Sequence, residues 1–216
     1  MKLILIAPSG GGKGSLADLI VKDYNIPSVS TGDIFRMNIK ERTPLGIKAE
    51  QYVSAGAWVP DDLTIDLVVD RLQHGDCKKG FVLDGFPRTL NQAKALAEKV
   101  GIDAVIELDI TDELVINRLA GRWMCKECNY IWNTRFPGFT AGTCSKCKGQ
   151  LYQREDDKEE VIARRLAQYR TANKDILDFY RKTGKLFTVK IEPEYMPADT
   201  YKIVKEYFSK KGLGQK

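Results

Sequence analysis

Histidine is almost absent from this chain: His74 is the single one among 216 residues, and it lies in a short stretch typical of a solvated turn. Acid–base catalysis by histidine is therefore not expected, and any reaction must depend on lysine, arginine, carboxylates and metal ions. A long apolar run is also missing, since none approaches the about 20 residues of a membrane span. No secretory signal pattern precedes Pro8. We expect a cytoplasmic protein without a membrane partner.

Positive charge is in excess, with 34 lysine and arginine residues against 29 aspartate and glutamate residues. The resulting net charge of +5 favours an anionic partner, but it does not distinguish nucleotides from nucleic acid. A chain of this length can bury a sizeable core, either as one large domain or as a core with inserts.

Apolar strands and amphipathic helical segments alternate along the chain. Strands are predicted at residues 2–7, 26–30, 80–84, 104–109 and 186–191. Helix starts are indicated by Thr89 with Gln92 three residues later, and by Thr111 with two acidic residues after it. This order favours an α/β fold, with a five-stranded parallel sheet covered by helices on both faces. Residues 31–59 and 121–154 interrupt the alternation and are interpreted as inserts.

A glycine-rich loop follows the first predicted strand, with the sequence Ala-Pro-Ser-Gly-Gly-Gly-Lys-Gly-Ser over residues 7–15. Backbone N–H groups of such a loop can close around a phosphate, and the next helix start adds favourable partial charge. Lys13 is placed to reach the outer phosphates, and the Ser15 hydroxyl to meet Mg²⁺. The alternative is a simple turn with a surface lysine, but strand, loop, lysine, hydroxyl and helix occur in the required order. Ala7 replaces the glycine of the usual pattern, which would be strained if the turn needed a positive φ there.

Four cysteines form two Cys-x-x-Cys pairs in the second insert, Cys125 with Cys128 and Cys144 with Cys147. Each pair can present two thiolates to one ion, and two pairs complete a tetrahedral Zn²⁺ site. Disulfides are the alternative, and the absence of a secretory signal argues against them. Four protein ligands leave no position for water, so we expect a structural metal, although iron or cobalt would also suit four thiolates. The fifth cysteine, Cys77, is interpreted as a bystander.

A third motif, Asp84-Gly85-Phe86-Pro87-Arg88, ends the third predicted strand. Ligands of doubly wound sheets bind at the carboxyl ends of strands, so Asp84 is expected near the phosphate loop, where it can order Mg²⁺ or its waters. Arg88 can bind a phosphate through two parallel hydrogen bonds. The alternative is a tight turn with an exposed arginine.

Together these motifs resemble adenylate kinase, in the long form whose lid carries a zinc site. The resemblance extends over essentially the whole chain. Besides the motifs above, it includes Thr31-Gly32-Asp33, Arg36, Gln92, Arg118, Arg122, Arg154-Glu155-Asp156-Asp157 and Arg165. Ala7 and Ser9 depart from the family's usual loop, which reads glycine-x-proline-glycine.

The resemblance implies a P-loop nucleoside monophosphate kinase fold with three parts. Residues 1–29, 60–120 and 158–216 would form the core, residues 30–59 a helical insert that binds AMP, and residues 121–157 a zinc-ribbon-like lid that closes over ATP. The enzyme would transfer the γ-phosphoryl group of ATP to AMP reversibly with Mg²⁺, giving two ADP. It would act as a monomer, without a nucleic-acid partner.

The resemblance also implies roles, position by position. The implied ATP contacts are Gly10, Gly11, Gly12, Lys13, Gly14, Ser15, Arg118 and Arg122. The implied AMP contacts are Thr31, Gly32, Arg36, Ala57, Val59, Gly85, Arg88, Gln92, Arg154 and Arg165. The implied catalytic residues are Lys13, Asp84, Arg88, Arg122, Arg154 and Arg165, whose cationic members would stabilise the transferring phosphoryl group.

Two other functions stay open at this point. A pyrimidine nucleoside monophosphate kinase would share most of these motifs, although the Gln92 amide can pair with the adenine edge of AMP. A nucleic-acid-binding ATPase with a zinc ribbon would also suit the net charge and the aromatics near the cysteines, which are Trp123, Tyr130 and Trp132. We expect those aromatics instead to pack around the metal site.

Overall fold

The computed structural model describes residues 1–55, 57–154 and 157–214. Its main strands are β1 (Lys2–Ile6), β2 (Ser28–Ser30), β3 (Phe81–Asp84), β4 (Ala104–Asp109) and β8 (Leu186–Lys190). They form one parallel sheet in the order β2–β3–β1–β4–β8. The predicted five-stranded parallel sheet is therefore confirmed, and each strand end lies within two residues of its predicted position.

Helices connect these strands and cover the sheet. They are α1 (Lys13–Tyr24), α2 (Thr31–Lys40), α3 (Pro44–Ser54), α4 (Asp61–Gln73), α5 (Leu90–Lys99), α6 (Asp112–Ala120), α7 (Glu159–Lys182) and α8 (Pro197–Lys210), with a 3₁₀ turn at Gly75–Lys79. The two predicted helix starts are confirmed, because the Thr89 hydroxyl accepts from the Gln92 N–H and the Thr111 hydroxyl from the Leu114 N–H. Within the described residues, none of the helices is both long enough and apolar enough to cross a membrane.

Both faces of the sheet are buried, as strand β1 illustrates. Leu3 and Leu5 pack into an apolar cluster with residues of α1, α6 and α8. Ile4 and Ile6 pack into a second cluster with residues of α4, α5 and α7. Successive side chains of a strand point to opposite faces, so a strand covered on both sides must be apolar at every position. This explains why the strands appear in the sequence as continuous apolar runs.

The two inserts have apolar clusters of their own. In the first insert, α2 and α3 bury Phe35 and Ala49 together with Val59. The second insert contains β5 (Arg122–Cys125), β6 (Ile131–Asn133) and β7 (Leu151–Tyr152), an antiparallel sheet in the order β6–β5–β7. Its cluster consists of Cys125, Trp132, Cys144 and Leu151, with Trp123 and Tyr130 packed against it, so the predicted packing of aromatics around the cysteines is confirmed. Gly56, Glu155 and Asp156 lie outside the described residues, and the predicted boundaries of the three parts stay a prediction.

Glu107 is a buried carboxyl group in β4, with 8% of its surface exposed. The Thr188 hydroxyl on the neighbouring strand β8 donates a hydrogen bond to it at 2.7 Å. Burial raises the pKa of Glu107 above its ordinary value, and the bond from Thr188 opposes that rise. The free energy of unfolding is therefore higher when Glu107 is protonated. This gain in stability is complete below the pKa of about 4 that the group has in the unfolded chain, and it is lost as pH rises through the higher pKa of the folded protein.

Replacing Glu107 by Gln is expected to stabilise the protein at pH 7, because a neutral amide can accept the Thr188 bond without burying a charge. A gain on the order of 1 kcal/mol, or about 2–4 °C in Tm, is typical of such a single change. The gain should vanish as pH falls towards about 4, where the native carboxyl is protonated too. Thermal melts of wild type and Glu107→Gln between pH 4 and 8 measure this. Glu98→Gln on exposed α5 is the matched control, and a destabilised Glu107→Gln protein at pH 7 would contradict the prediction.

Candidate functional site

The glycine-rich loop joins β1 to α1 at the carboxyl end of the sheet. Gly10 and Gly12 have φ angles of +80° and +100°, a region that favours glycine. A Cβ on Gly10 would also lie 2.6 Å from Cγ of Leu119, so no larger residue fits there without displacement. Ala7 is not among the described residues of positive φ, and the strain considered for it does not arise. The loop therefore needs glycine at positions 10 and 12, and not at its first residue, Ala7.

Lys13 begins α1, and its ammonium group lies inside the loop. The Nζ atom donates to the carbonyl oxygens of Ala7 at 2.7 Å and Pro8 at 3.0 Å, and it lies 4.0 Å from Oδ1 of Asp84. Burial lowers the pKa of Lys13 to about 8, Asp84 opposes this, and Arg88, Arg165 and Arg122 lower it further. The structure therefore brings together four of the cations predicted to be catalytic.

Arg88 is held at the end of β3 by the carbonyl oxygen of Gly85, which accepts from its Nε at 2.7 Å. The same carbonyl accepts from the Thr31 hydroxyl at 2.9 Å, which ties the start of α2 to this strand. Burial lowers the pKa of Arg88 to about 10; Arg165 and Arg36 add to the lowering and Asp84 opposes it. Buried cations that depress one another's pKa favour binding of a polyanion, which would relieve their repulsion.

A cavity of about 600 Å³, partly open to solvent, lies between the first insert and the end of β3. Nine of the ten predicted AMP contacts line it, namely Thr31, Gly32, Arg36, Ala57, Val59, Gly85, Arg88, Gln92 and Arg165. Arg154, the tenth, is not among the lining residues; it follows β7 and is half-buried. The lining residues that sequence reasoning missed are Phe35, Val53, Trp58 and Thr64. In the sequence they look like ordinary apolar or helix-start residues.

A second cavity of about 580 Å³ adjoins the first and reaches the glycine-rich loop. The two cavities share Trp58, Gly85, Arg88 and Arg165 as lining residues. The second is also lined by Lys13 and Ser9 of the loop region, and by residues of α7 that include Tyr169 and Asn173. A ligand could thus extend from the insert to the phosphate loop past a shared set of cations. Nothing in the sequence pattern distinguished Tyr169 and Asn173 from other residues on the helix.

Arg118, in the last turn of α6, and Arg122, at the start of the second insert, lie near the loop region. Arg122 begins β5 and donates through Nε to Oδ2 of Asp157 at 2.7 Å, and through Nη2 to its other oxygen. Arg118 donates to the carbonyl oxygen of Tyr195 at 3.3 Å, and burial and Arg135 lower its pKa. Asp157 was assigned no role of its own from the sequence. Its pairing with Arg122 was missed because the two residues lie at opposite ends of the insert in the sequence, 35 positions apart.

The strand β6 of the second insert lies over the loop. Cδ1 of Ile131 would lie 3.5 Å from a Cβ placed on Gly14, and Oδ2 of Asp84 would lie 4.0 Å from the same position. A carboxylate oxygen of Asp84 therefore lies beside the start of α1, the helix that carries Ser15, and carboxylate and hydroxyl oxygens are the ligand type that Mg²⁺ prefers. These residues fit a magnesium ion that accompanies bound phosphates.

The four predicted metal ligands come together in the second insert. The Sγ atoms of Cys125, Cys128, Cys144 and Cys147 all lie within 4.8 Å of one another. The Cys125–Cys147 distance is 3.4 Å and the Cys128–Cys144 distance is 3.8 Å. Tetrahedral zinc with Zn–S bonds of about 2.3 Å places its sulfur atoms about 3.8 Å apart. The cluster therefore fits a metal ion with four sulfur ligands.

One of these sulfur atoms has an aromatic hydrogen-bond donor. The Trp132 indole N–H donates to Sγ of buried Cys144 at 3.3 Å. Burial alone would raise the pKa of Cys144, but this bond and the N–H groups of Cys147 and Lys146 lower it to about 6. A donor to a thiolate ligand fixes its orientation and stabilises its charge. Trp132 thus stabilises the four-cysteine site without being one of its ligands.

Comparisons with known proteins agree with this geometry. The family model described as adenylate kinase matches residues 5–185. The chain is 48% identical over 196 residues to an adenylate kinase of Symbiobacterium thermophilum, covering 88% of this chain and 91% of that protein. It is 46% identical over 195 residues to one of Clostridium novyi, with 88% and 90% covered. It is 44% identical over 210 residues to one of Caldicellulosiruptor bescii, with 94% and 97% covered.

Replacing Trp132 by Phe is expected to lower the zinc affinity of the four-cysteine site about 10-fold or more, because the Cys144 thiolate loses its hydrogen-bond donor. The measurement is the rate at which the zinc-loaded protein releases its ion to a colorimetric chelator. Trp123→Phe is the matched control, since Trp123 lies opposite Trp132 in the β5–β6 pair but has no bond to sulfur among the described contacts. Equal release rates for the two variants would mean that the indole N–H contributes nothing.

Proposed function

The chain belongs to the adenylate kinase family, and from this premise we propose that it catalyses Mg²⁺-dependent, reversible transfer of the γ-phosphoryl group of ATP to AMP, giving two ADP. The observation that carries the proposal is the pair of adjoining cavities. They share Arg88 and Arg165, and the second contains Lys13. A phosphoryl group that passes between two nucleotides would cross this shared cationic region. The reaction would serve the balance of adenine nucleotides.

The proposed stabilisation is mainly electrostatic. Phosphoryl transfer spreads negative charge over the oxygens of the moving group and asks little covalent chemistry of the protein. Lys13, Arg88 and Arg165 line the second cavity, and Arg122 acts electrostatically on Lys13. Asp84 and Ser15 would hold Mg²⁺, which would neutralise charge on the outer ATP phosphates. The single histidine, His74, is exposed and has no place in this scheme.

We propose the same roles for the remaining predicted contacts. Gly10, Gly11, Gly12, Gly14 and Arg118 would bind ATP together with Lys13, Ser15 and Arg122. The nine predicted AMP contacts that line the first cavity would bind AMP. Arg154 would reach the phosphates from the end of the second insert when that insert closes.

The division into a core and two inserts is also a proposal, with residues 30–59 as the AMP-binding insert and 121–157 as the lid. It is supported by the separate apolar clusters of the two inserts. A lid stiffened by four sulfur–metal bonds would move as one body, so the backbone changes would fall near its ends. One proposed end lies near Gly121; the other lies near Asp156, outside the described residues.

We propose zinc as the ion of the cysteine cluster, with a structural role, because four thiolates leave no open position. The insert buries few side chains of its own, so the ion would take over part of the role of a core. We further propose a cytoplasmic monomer whose partners are nucleotides. The aromatics that suggested nucleic acid pack against the cysteine cluster instead.

A screen of nucleoside monophosphates with ATP and Mg²⁺ tests the acceptor. AMP is expected to be the preferred acceptor. Lys13→Ala should lower kcat by about 100-fold or more, because it removes the positive charge that would stabilise the transferring phosphoryl group. Lys22→Ala, at the exposed far end of α1, is the matched control and should keep wild-type activity. Faster turnover of CMP or UMP would sink the acceptor assignment. A Lys13→Ala enzyme of near-normal rate would sink the role of the loop lysine.

Closure of the lid can be measured as a distance. Labels at Thr140 in the lid and at Glu98 in the core, both exposed, should move closer when a ligand joining two adenosines through five phosphates is added. Non-cysteine labelling is needed to spare the metal ligands. Arg122→Ala should lower kcat more than it raises KM, since its contact with the phosphates would form on closure. An unchanged distance would show that the second insert is not a lid.

A further inference from the structure

The side-chain amide of Gln92 is held at both ends. Its Oε1 accepts from the backbone N–H of Arg88 at 2.7 Å, and its Nε2 donates to Oδ1 of Asp61 at 2.7 Å. Gln92 is 1% exposed, although it lines the first cavity. An amide has two N–H donors and two acceptor lone pairs, so one donor and one acceptor remain for a ligand.

These partners determine which way round the amide lies. A carboxylate can only accept a hydrogen bond, and a backbone N–H can only donate one. A flipped amide would place its oxygen against the Asp61 carboxylate and its NH₂ group against the Arg88 N–H, which loses both bonds and creates two repulsive contacts. The order of donor and acceptor that Gln92 presents to the cavity is therefore fixed.

Asp61 is itself anchored. Its Oδ2 accepts from the Thr89 hydroxyl at 2.7 Å and from Nδ2 of Asn91 at 3.2 Å. Thr89 is the N-cap of α5, the helix that carries Gln92, while Asp61 is the first residue of α4. The carboxylate thus joins the starts of two helices at the cavity wall. An acid in the first turn of a helix needs no particular partner to interact with the helix dipole, and neighbouring Asp62 can do the same. The dipole alone therefore does not explain the three side-chain contacts of Asp61.

We infer that Asp61 is a positioning residue that selects a 6-aminopurine over a 6-oxopurine as the acceptor base, by holding the Gln92 amide in one orientation. This inference rests on the proposed function. Adenine offers a ring acceptor, N1, beside an amino donor, whereas hypoxanthine offers a ring donor, N1–H, beside a carbonyl acceptor. The two edges require opposite orders of donor and acceptor. A fixed amide satisfies one order only, and unpaired polar groups in a buried site reject the other base.

The test compares AMP with IMP as acceptors for wild type, Asp61→Asn and Asp62→Asn. An asparagine at position 61 can present either its oxygen or its NH₂ group, so Asp61→Asn removes one of the two constraints on the Gln92 amide and leaves only the Arg88 N–H. We expect the ratio of kcat/KM for AMP to that for IMP to fall about 10-fold or more in Asp61→Asn, a change of about 1.4 kcal/mol. The loss should appear mainly as a higher KM for AMP, with a smaller change in kcat.

Asp62→Asn is the matched control, because it removes the same charge from the same helix turn at an exposed position. It should keep the wild-type ratio. A wild-type ratio in folded Asp61→Asn, or an equal fall in both variants, would overturn the inference. If the wild-type enzyme used neither AMP nor IMP, the proposed function would fail instead, which separates the two failures.

A second pair of variants covers the case in which Asp61→Asn does not fold. Thr89→Val removes the hydroxyl that anchors Asp61, and Thr89→Ser keeps it. Thr89→Val should lower the AMP-to-IMP ratio about threefold, because Asp61 loses one of the bonds that anchor it. Thr89→Val also loses the cap on the Gln92 N–H, which should lower Tm, whereas Thr89→Ser keeps both bonds and should keep the ratio. A Thr89→Val enzyme with a lower Tm but an unchanged ratio would show a purely structural role, against the inference.

Discussion

The desolvation and mutual repulsion of half-buried cations are the constraint around which this site is built. Burial and neighbouring arginines lower the pKa of Lys13 to about 8 and that of Arg88 to about 10. Asp84 is the carboxylate that opposes both shifts. Such an arrangement is unfavourable by itself and becomes favourable when a polyanion enters. The fold must therefore hold these side chains rigidly enough to keep them together before the nucleotides arrive.

The parallel sheet supplies that rigidity. Strands β1 and β3 are neighbours in register, with Leu5 opposite Asp84, so the loop after one strand and the carboxylate at the end of the other meet at the same edge. The carbonyl oxygens of the loop and of Gly85 then hold Lys13 and Arg88 in place. Both sheet faces are covered by helices, which leaves the carboxyl edge as the open place for ligands.

The two inserts depend on this edge in different ways. The first packs Phe35 and Ala49 with Val59 and leaves a cavity against the strand ends. The second has an apolar cluster in which two of the four buried members are cysteines, and it brings all four sulfur atoms to one point. Metal coordination suits an insert that must keep its own shape while it contacts the core through few residues, as Ile131 does above the loop.

Local patterns were enough to predict the five strands of the main sheet and the motifs of this protein, but not the three short strands of the second insert. Continuous apolar runs, capping residues and a glycine-rich loop act over a few neighbouring residues, so the five strands, the starts at Thr89 and Thr111 and the cysteine pairs could be predicted from sequence. Pairings between distant residues could not. Arg122 with Asp157 and Gln92 with Asp61 are joined by the way the chain returns to the same place, and Trp58, Tyr169 and Asn173 line the cavities only because of it. The sequence by itself determined which chemistry is present, because residue type and short-range spacing carry it. The tertiary structure alone decided which way the amide of Gln92 faces and which carboxylate holds it, because that orientation depends on hydrogen bonds between residues far apart in the chain.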